Sequence, residues 1–248
     1  MENGLSALDL REIRIDREIS ETEYYAALPA VRQIIREGGL ILTKPVTFFV
    51  GENGIGKSTV LEAVAAAAGF NPEGGSRNFR FSTADTHSTL YEHVHLVHGA
   101  MRRKSGFFFR AESFYNAASY LDEVGGEVLD AYGGRSLHTL SHGEGLLALV
   151  ENRFSPDGLY LLDEPEAAVS PARMLRLMAE ISDLARRGAQ FLISTHSPML
   201  ITLPDSEILQ FTEGGIERVG YRDTRQYQVT RDFLENPERM LRILLEET

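Results

Sequence analysis

The strongest indication of the fold is the stretch Pro45-Val-Thr-Phe-Phe-Val-Gly51-Glu-Asn-Gly-Ile-Gly-Lys57-Ser58. Residues 45–50 are typical of a buried strand, and the glycine-rich part fits the pattern G-x-x-x-x-G-K-[ST]. Residues 59–68 are rich in alanine and end at Gly69, which predicts a helix with a C-terminal stop. A strand, a glycine-rich loop and a helix in this order are the context of a phosphate-binding loop.

The chemistry of such a loop depends on its glycines. Without a Cβ, they let backbone N–H groups turn inward around phosphate oxygens. We expect Lys57 to reach the β- and γ-phosphates of ATP and the hydroxyl of Ser58 to ligate Mg²⁺. The predicted nucleotide-binding residues of the loop are Gly51, Glu52, Asn53, Gly54, Ile55, Gly56, Lys57, Ser58 and Thr59.

A second apolar run, residues 159–162, ends in two acids, Asp163 and Glu164. Because ligands bind outside the carboxyl ends of parallel strands, we expect Asp163 beside the phosphate loop. There its carboxylate can hold Mg²⁺, directly or through water. Glu164 is the candidate that orients and deprotonates the attacking water. The loop and the acids together predict Mg²⁺-dependent ATP hydrolysis.

The order of the predicted elements gives the fold class. Strand patterns at residues 106–111 and 190–194 alternate with helix patterns at 145–153 and 171–187. This alternation predicts an α/β fold whose mainly parallel core sheet is covered on both faces. Residues 10–19 have the pattern of an antiparallel edge strand. We expect one domain, 1–248, with a small helical lobe at about 112–155.

Composition limits the class of protein. The chain has 248 residues, 43% of them hydrophobic, which is enough for a substantial core. It has no cysteine, which excludes disulfides and thiolate metal sites. The start lacks the regions of a signal peptide, and the apolar runs are too short to span a bilayer, so we expect a cytoplasmic protein without membrane insertion.

The formal net charge of −11 argues against nonspecific nucleic-acid binding by the whole surface. DNA binding by a local patch stays open. Arg102-Arg103-Lys104 is the densest basic cluster, and a solvated loop is its simpler interpretation.

Leu140-Ser-His-Gly-Glu-Gly145 resembles the signature segment of ABC-type ATPases, with His142 and Glu144 in place of the commoner glycine and glutamine. The resemblance implies that Ser141 and Gly143 grip the γ-phosphate of the ATP bound by a partner subunit. Two copies would then enclose two nucleotides in an ATP-dependent homodimer. Ala167-Ala-Val-Ser170 resembles the loop that couples the two sites, and His196 the switch histidine that contacts the γ-phosphate.

More narrowly, the chain resembles a small stand-alone bacterial group of predicted ATPases. The stretches that carry this resemblance begin at Phe48, Asn71, Arg110 and Leu161. The Gly-Glu-Asn-Gly loop and Glu166 are similar to SMC and recombination-repair heads. Three uses of ATP follow as alternatives: DNA repair or phage defence, an ABC transporter subunit with a separate membrane partner, and a nucleotide-switched regulatory or toxin-associated module.

One expected residue is missing. ABC-type ATPases usually place a glutamine at a strand end between the loop and the signature, where it senses nucleotide through Mg²⁺. This chain has no glutamine between Gln33 and Gln190. Asn78 or Ser82 is the predicted stand-in.

Weaker candidates complete the sequence prediction. Adenine could stack on one of two tyrosines or meet one of two arginines. The spacing of three histidines allows a zinc site but completes no familiar ligand set. Arg110 and Glu112 fit a nucleotide contact, a contact at the dimer interface or a surface ion pair. The residues are Tyr24, Tyr25, Arg14, Arg17, His93, His95, His98, Arg110 and Glu112.

Overall fold

The computed structural model describes residues 8–77, 88–100, 103, 105–111 and 142–246. The predicted residues Asn78, Ser82, Glu112 and Ser141 lie outside these ranges, as does the part of the predicted helical lobe at 112–141.

In chain order the described strands are β1 Leu10–Ile15, β2 Leu40–Ile41, β3 Val46–Val50, β4 Val94–His98, β5 Ser105–Arg110, β6 Gly158–Asp163, β7 Gln190–Ser194, β8 Ser206–Thr212 and β9 Gly215–Val219. The described α-helices, numbered in the same way, are α1 Pro29–Glu37, α2 Lys57–Ala67, α3 His142–Arg153, α4 Pro171–Arg186, α5 Arg225–Glu235 and α6 Pro237–Glu246.

The central sheet has the strand order β5-β6-β7-β3-β8-β9. Its pairs are parallel except for the last, in which β8 and β9 form an antiparallel hairpin. The mainly parallel core sheet is therefore confirmed. Because β7 lies between β3 and β6, the strand that leads to the phosphate loop and the strand that ends in the acids do not touch directly.

The core lies on both faces of this sheet. Neighbouring side chains of a strand point to opposite faces, so Phe48 packs with helices α3 and α4 while Phe49 packs with α1 and α2. Every residue of β3, β6 and β7 is buried, which explains their continuous apolar runs.

A second, three-stranded antiparallel sheet has the order β2-β1-β4. The prediction of an antiparallel β element at the N-terminal end is confirmed, but the edge position predicted for its first strand is wrong, since β1 lies in the middle. Its alternation places Leu10, Ile13 and Ile15 in the core and Arg11 and Arg14 in solvent. The charged positions therefore mark a solvated face, which a central strand of an antiparallel sheet also has.

Along the described residues, we find no helix that is both long enough and apolar enough to cross a membrane.

Candidate functional site

The glycine-rich loop connects the end of β3 to the start of α2. Gly51, Gly54 and Gly56 have φ values of 147°, 78° and 99°, which L side chains rarely adopt. A Cβ at Gly51 would lie 2.5 Å from the carbonyl oxygen of Phe211 at the end of β8. The loop shape therefore requires glycine, and it leaves the N-terminus of α2 open toward the site.

Lys57, the first residue of α2, is 4% exposed and curls back over the loop. Its ammonium group donates hydrogen bonds to the carbonyl oxygens of Gly51 at 2.9 Å and Glu52 at 2.8 Å. Burial lowers the pKa of Lys57, and nearby carboxylates act in the opposite direction. These carboxylates are Glu164, Asp163 and Glu166. A buried cation therefore faces several acidic side chains.

Ser58 and Asp163 meet as the sequence predicts, although they are far apart along the chain. The Ser58 hydroxyl donates to Asp163 Oδ1 at 2.9 Å. Asp163 is 8% exposed. Burial raises the pKa of Asp163, and the hydrogen bond from Ser58 and the charge of Arg110 oppose this rise. Thr59, the last residue of the predicted loop set, follows on α2.

Arg110 lies at the end of β5, in register with Asp163 on the parallel neighbour β6. Its Nε is 3.9 Å from Asp163 Oδ2, and its Nη1 is 2.7 Å from Glu62 Oε2 on α2. The same nitrogen donates to the carbonyl oxygen of Pro72 at 3.3 Å. Arg110 is thus at a strand end beside the acids, where its ion pair with Glu62 is mostly buried.

Glu164 follows β6 in a left-handed backbone conformation, with φ 50° and ψ 52°. Its backbone N–H donates to the carbonyl oxygen of Ser194, at the end of β7, at 3.0 Å. Its side chain is 43% exposed, and its Oε1 lies 3.6 Å from His196 Nε2. The predicted base and the predicted switch histidine are therefore neighbours, with the carboxylate open to solvent.

Glu166 is a site residue that the sequence prediction left without a role. Its Oε1 accepts a hydrogen bond from the backbone N–H of His196. Its Oε2 is buried and has no hydrogen-bond partner among the described residues. The third acid of the Asp-Glu-Pro-Glu stretch was the available signal, but its partner becomes visible only once β6 and β7 lie side by side.

The described part of the signature segment is the start of α3. A Cβ at Gly143 would lie 2.8 Å from the carbonyl oxygen of Ala168, in the turn that follows the acids. Arg173 on α4 forms a 2.7 Å ion pair with Glu144. The start of α3 therefore packs directly on the loop 167–170, which by its sequence resembles the loop that couples the two sites.

A pocket of 690 Å³ opens on the outer side of the phosphate loop. The loop and His196 form one wall, and the ends of β8 and α5 form the other. None of the described residues of α3 lines it. Arg225, at the start of α5, forms a 2.6 Å ion pair with Glu52 across its rim.

The weaker candidates lie elsewhere. Tyr25 is 1% exposed, and its hydroxyl is 2.9 Å from Thr89 Oγ1, so it belongs to the core and only Tyr24 is open for stacking. Arg14 pairs with Glu12 on the solvated face of β1.

The three histidines are on or beside β4, where carboxylates pair with them. His95 is 2.8 Å from Asp16, and His98 is 2.9 Å from the fully buried Asp9. Within the described ranges no group of three or more His, Asp or Glu side chains is arranged to hold a metal ion. The open possibility of a zinc site receives no support from this arrangement.

Comparison with known proteins agrees with this geometry. Residues 31–111 match a family model described as "AAA domain", and residues 124–202 match one described as "AAA domain, putative AbiEii toxin, Type IV TA system". The first match contains the phosphate loop and Arg110, and the second contains the acids and His196. The chain is a P-loop ATPase that is similar to ABC-type ATPases.

This ATPase is 26% identical to a "putative ABC transporter ATP-binding protein" of Caldanaerobacter subterraneus, over 82% of this chain and 90% of the relative. A solved structure described as an inward-facing conformation of a "putative metal-chelate type ABC transporter" aligns with a TM-score of 0.50 at 16% identity, covering 90% of this chain and 88% of the other. The SMC head domain from Thermotoga maritima aligns with a TM-score of 0.42 at 17% identity, covering 86% and 99%.

Proposed function

We propose that this ATPase uses Mg²⁺ to hydrolyse ATP in a homodimer that encloses two nucleotides. The contact between the Ser58 hydroxyl and Asp163 Oδ1, at 2.9 Å, carries the proposal. It joins the two predicted Mg²⁺ ligands at the mouth of the phosphate loop.

The donor set fits Mg²⁺. A serine hydroxyl and a carboxylate are hard oxygen donors, and Mg²⁺ in phosphate sites is held by one or two such groups together with substrate oxygens and water. The raised pKa of buried Asp163 marks a carboxylate whose negative charge lacks full compensation. When bound, Mg²⁺ would supply positive charge to the β- and γ-phosphates.

The remaining roles belong to side chains around this point. The ammonium group of Lys57, which donates hydrogen bonds to two loop carbonyl oxygens, would donate to phosphate oxygens of ATP instead. There it would offset the negative charge on the transferred phosphoryl group. Glu164, exposed beside His196, would accept a proton from the attacking water. His196 would donate to the γ-phosphate. Phosphoryl transfer depends chiefly on such positioning and electrostatics.

The packing of α3 supports the dimer. Gly143 sits against the turn after the acids, while the described residues of α3 leave the pocket at the phosphate loop unlined. A signature helix placed in this way is suited to completing the site of another copy, with Ser141 and Gly143 contacting that copy's nucleotide. Turnover would then be slow until two copies close.

The direct test is the variant Glu164→Gln, which keeps the shape of the side chain and removes the base. We expect hydrolysis to fall by at least about 100-fold, while saturating ATP and Mg²⁺ convert the protein to a dimer in light-scattering chromatography. Glu37→Gln, an exposed change at the end of α1, is the matched control. A Glu164→Gln protein that stays monomeric with saturating ATP would contradict the enclosed dimer.

The use of the ATP has three candidates. The family model that matches residues 124–202 names a toxin of a type IV toxin–antitoxin system, which favours a defence role or a toxin-associated regulator. The relative from Caldanaerobacter is named for a transporter, which favours an ATP-binding subunit working with a separate membrane protein.

These uses predict different partners. A defence or repair ATPase would bind DNA in an ATP-dependent, salt-sensitive way, which a gel mobility-shift assay measures. A transporter subunit would copurify with an integral membrane protein. A regulator would bind a protein partner in one nucleotide state only, which parallel pull-downs with and without ATP measure.

A further inference from the structure

The turn after the acids contacts the histidine loop, the segment after β7 that carries His196, at two points. Glu164 Oε1 lies 3.6 Å from the imidazole Nε2 of His196, and Glu166 Oε1 accepts the hydrogen bond from the backbone N–H of the same residue. The ring contact is longer than a hydrogen bond, whereas the backbone contact is a true one. The firm attachment of His196 to this turn is therefore made by Glu166.

The position of Glu166 is costly for a residue that only supports the fold. Its Oε2 is buried and has no hydrogen-bond partner among the described residues. A buried acceptor without a partner is destabilising, and such atoms are uncommon in native structures. Native proteins depart from this rule chiefly at functional or strained sites, which makes a functional role for Glu166 worth testing.

Glu166 also faces the catalytic residues. Burial lowers the pKa of Lys57, and the charge of Glu166 is among those that oppose this effect. Its carboxylate therefore acts on the charge of Lys57 while it holds the backbone of His196. The strand β7, which precedes His196, pairs with both β3 and β6. A shift of the loop that carries His196 would therefore change the position of this residue relative to the ends of both strands.

We propose that Glu166 is a positioning residue of the ATPase, which fixes the backbone of His196 so that the imidazole meets the γ-phosphate. The inference rests on the proposed role of His196. It assigns to Glu166 the function of a hydrogen-bond acceptor rather than of a base, so an amide oxygen in the same place can replace it.

Three variants test this role: Glu166→Ala, Glu166→Gln and His196→Ala. We expect Glu166→Ala to lower kcat by about 100-fold, because a small displacement of a catalytic group has this effect. Glu166→Gln keeps an acceptor for the N–H and is expected to remain within about threefold of the wild type. If Gln is as damaging as Ala, the carboxylate charge is essential and the positioning role is overturned.

A second readout separates positioning from general damage. The ratio of ATP to ADP affinity, measured with fluorescent nucleotide analogues and Mg²⁺, reports contacts to the γ-phosphate. We expect Glu166→Ala to reduce this ratio about tenfold, as His196→Ala does. Glu37→Ala, an exposed change on α1, is the control, and thermal melting checks that each variant is folded.

The double variant Glu166→Ala/His196→Ala completes the test. If Glu166 acts through His196, its removal has no further effect on kcat once the imidazole is gone; full additivity of the two changes would overturn the inference. If His196→Ala itself alters neither kcat nor the affinity ratio, the proposed role of His196 fails. If His196→Ala is impaired and Glu166→Ala is not, only the inference about Glu166 fails.

Discussion

Two buried carboxylates lie at opposite ends of the strands of the same sheet and have different surroundings. Glu207, at the amino end of β8, and Asp163, at the carboxyl end of β6, are each 8% exposed. Glu207 accepts hydrogen bonds from the backbone N–H groups of Thr43 and Lys44, the hydroxyls of Thr43 and Thr47, and the guanidinium of Arg218, at distances from 2.6 to 3.2 Å.

Asp163 has a weaker set. It accepts from the Ser58 hydroxyl at 2.9 Å, and Arg110 lies 3.9 Å away. Burial raises its pKa. Equally buried carboxylates therefore serve two purposes. At the amino ends of the strands the charge of Glu207 is fully hydrogen-bonded and the contact stabilises the fold, whereas at the carboxyl ends the charge of Asp163 is left available to a cation and a nucleotide.

The largest effect is expected for Asp163→Asn. Loss of a carboxylate ligand is expected to lower ATP hydrolysis by about 1,000-fold, while the free energy of unfolding rises because a desolvated charge is removed. Hydrolysis assays and urea unfolding measure the two. Asp205→Asn is the matched control, since Asp205 is exposed and has a φ of 55° that asparagine tolerates.

The pH dependence of that stability gain has a definite sign. Because the folded pKa of Asp163 is raised above its ordinary value of 3.8, wild-type protein without ligands loses stability as pH rises through the window above 3.8. The advantage of Asp163→Asn is therefore expected to be small below that pH and largest near neutrality. An advantage that shrinks as pH rises would contradict the assignment.

Glu207→Ala is the opposite experiment. It leaves Arg218 and several donors without their acceptor, so we expect the free energy of unfolding to fall by about 3–5 kcal/mol. Molecules that remain folded should bind ATP as the wild type does. Glu217→Ala, an exposed change on β9, is the control. A strong loss of ATP affinity in folded Glu207→Ala would remove the contrast between the two carboxylates.

The smallest effect is expected for Arg110→Gln. The charge of Arg110 opposes the rise of the pKa of Asp163, so its removal is expected to move the acid limb of the kcat/KM profile to higher pH. Arg36→Gln, on an exposed side chain of α1, serves as the control. A shift to lower pH would show that Arg110 does not stabilise the ionised carboxylate.

The sequence predicted the elements whose signals are local. The strands before the loop and before the acids are continuous apolar runs, and the helix after the loop follows its glycine, so β3, β6 and α2 were predictable. The α1 helix, the β8–β9 hairpin and the C-terminal α5 and α6 were not predicted. Helices α5 and α6 keep large apolar side chains such as Leu234 and Leu245 exposed, so their pattern does not mark a core face.

Contacts between distant segments were beyond local patterns. All partners of Glu207 except Arg218 are about 160 residues earlier in the chain. The meeting of Arg110 with Asp163 depends on the register of β5 and β6. The attachment of His196 by Glu166 likewise requires the order of strands. The sequence predicted which residue types serve the site but not which neighbours hold them.

The contact between Gly143 and the carbonyl oxygen of Ala168 has a consequence for timing. With no room for even a methyl group there, a shift of the turn after the acids is transmitted to the start of α3. In the proposed two-fold dimer each α3 serves the opposite nucleotide, so the state of one ATP is felt at the other. In such a dimer the two hydrolysis events would be correlated in time, either simultaneous or alternating.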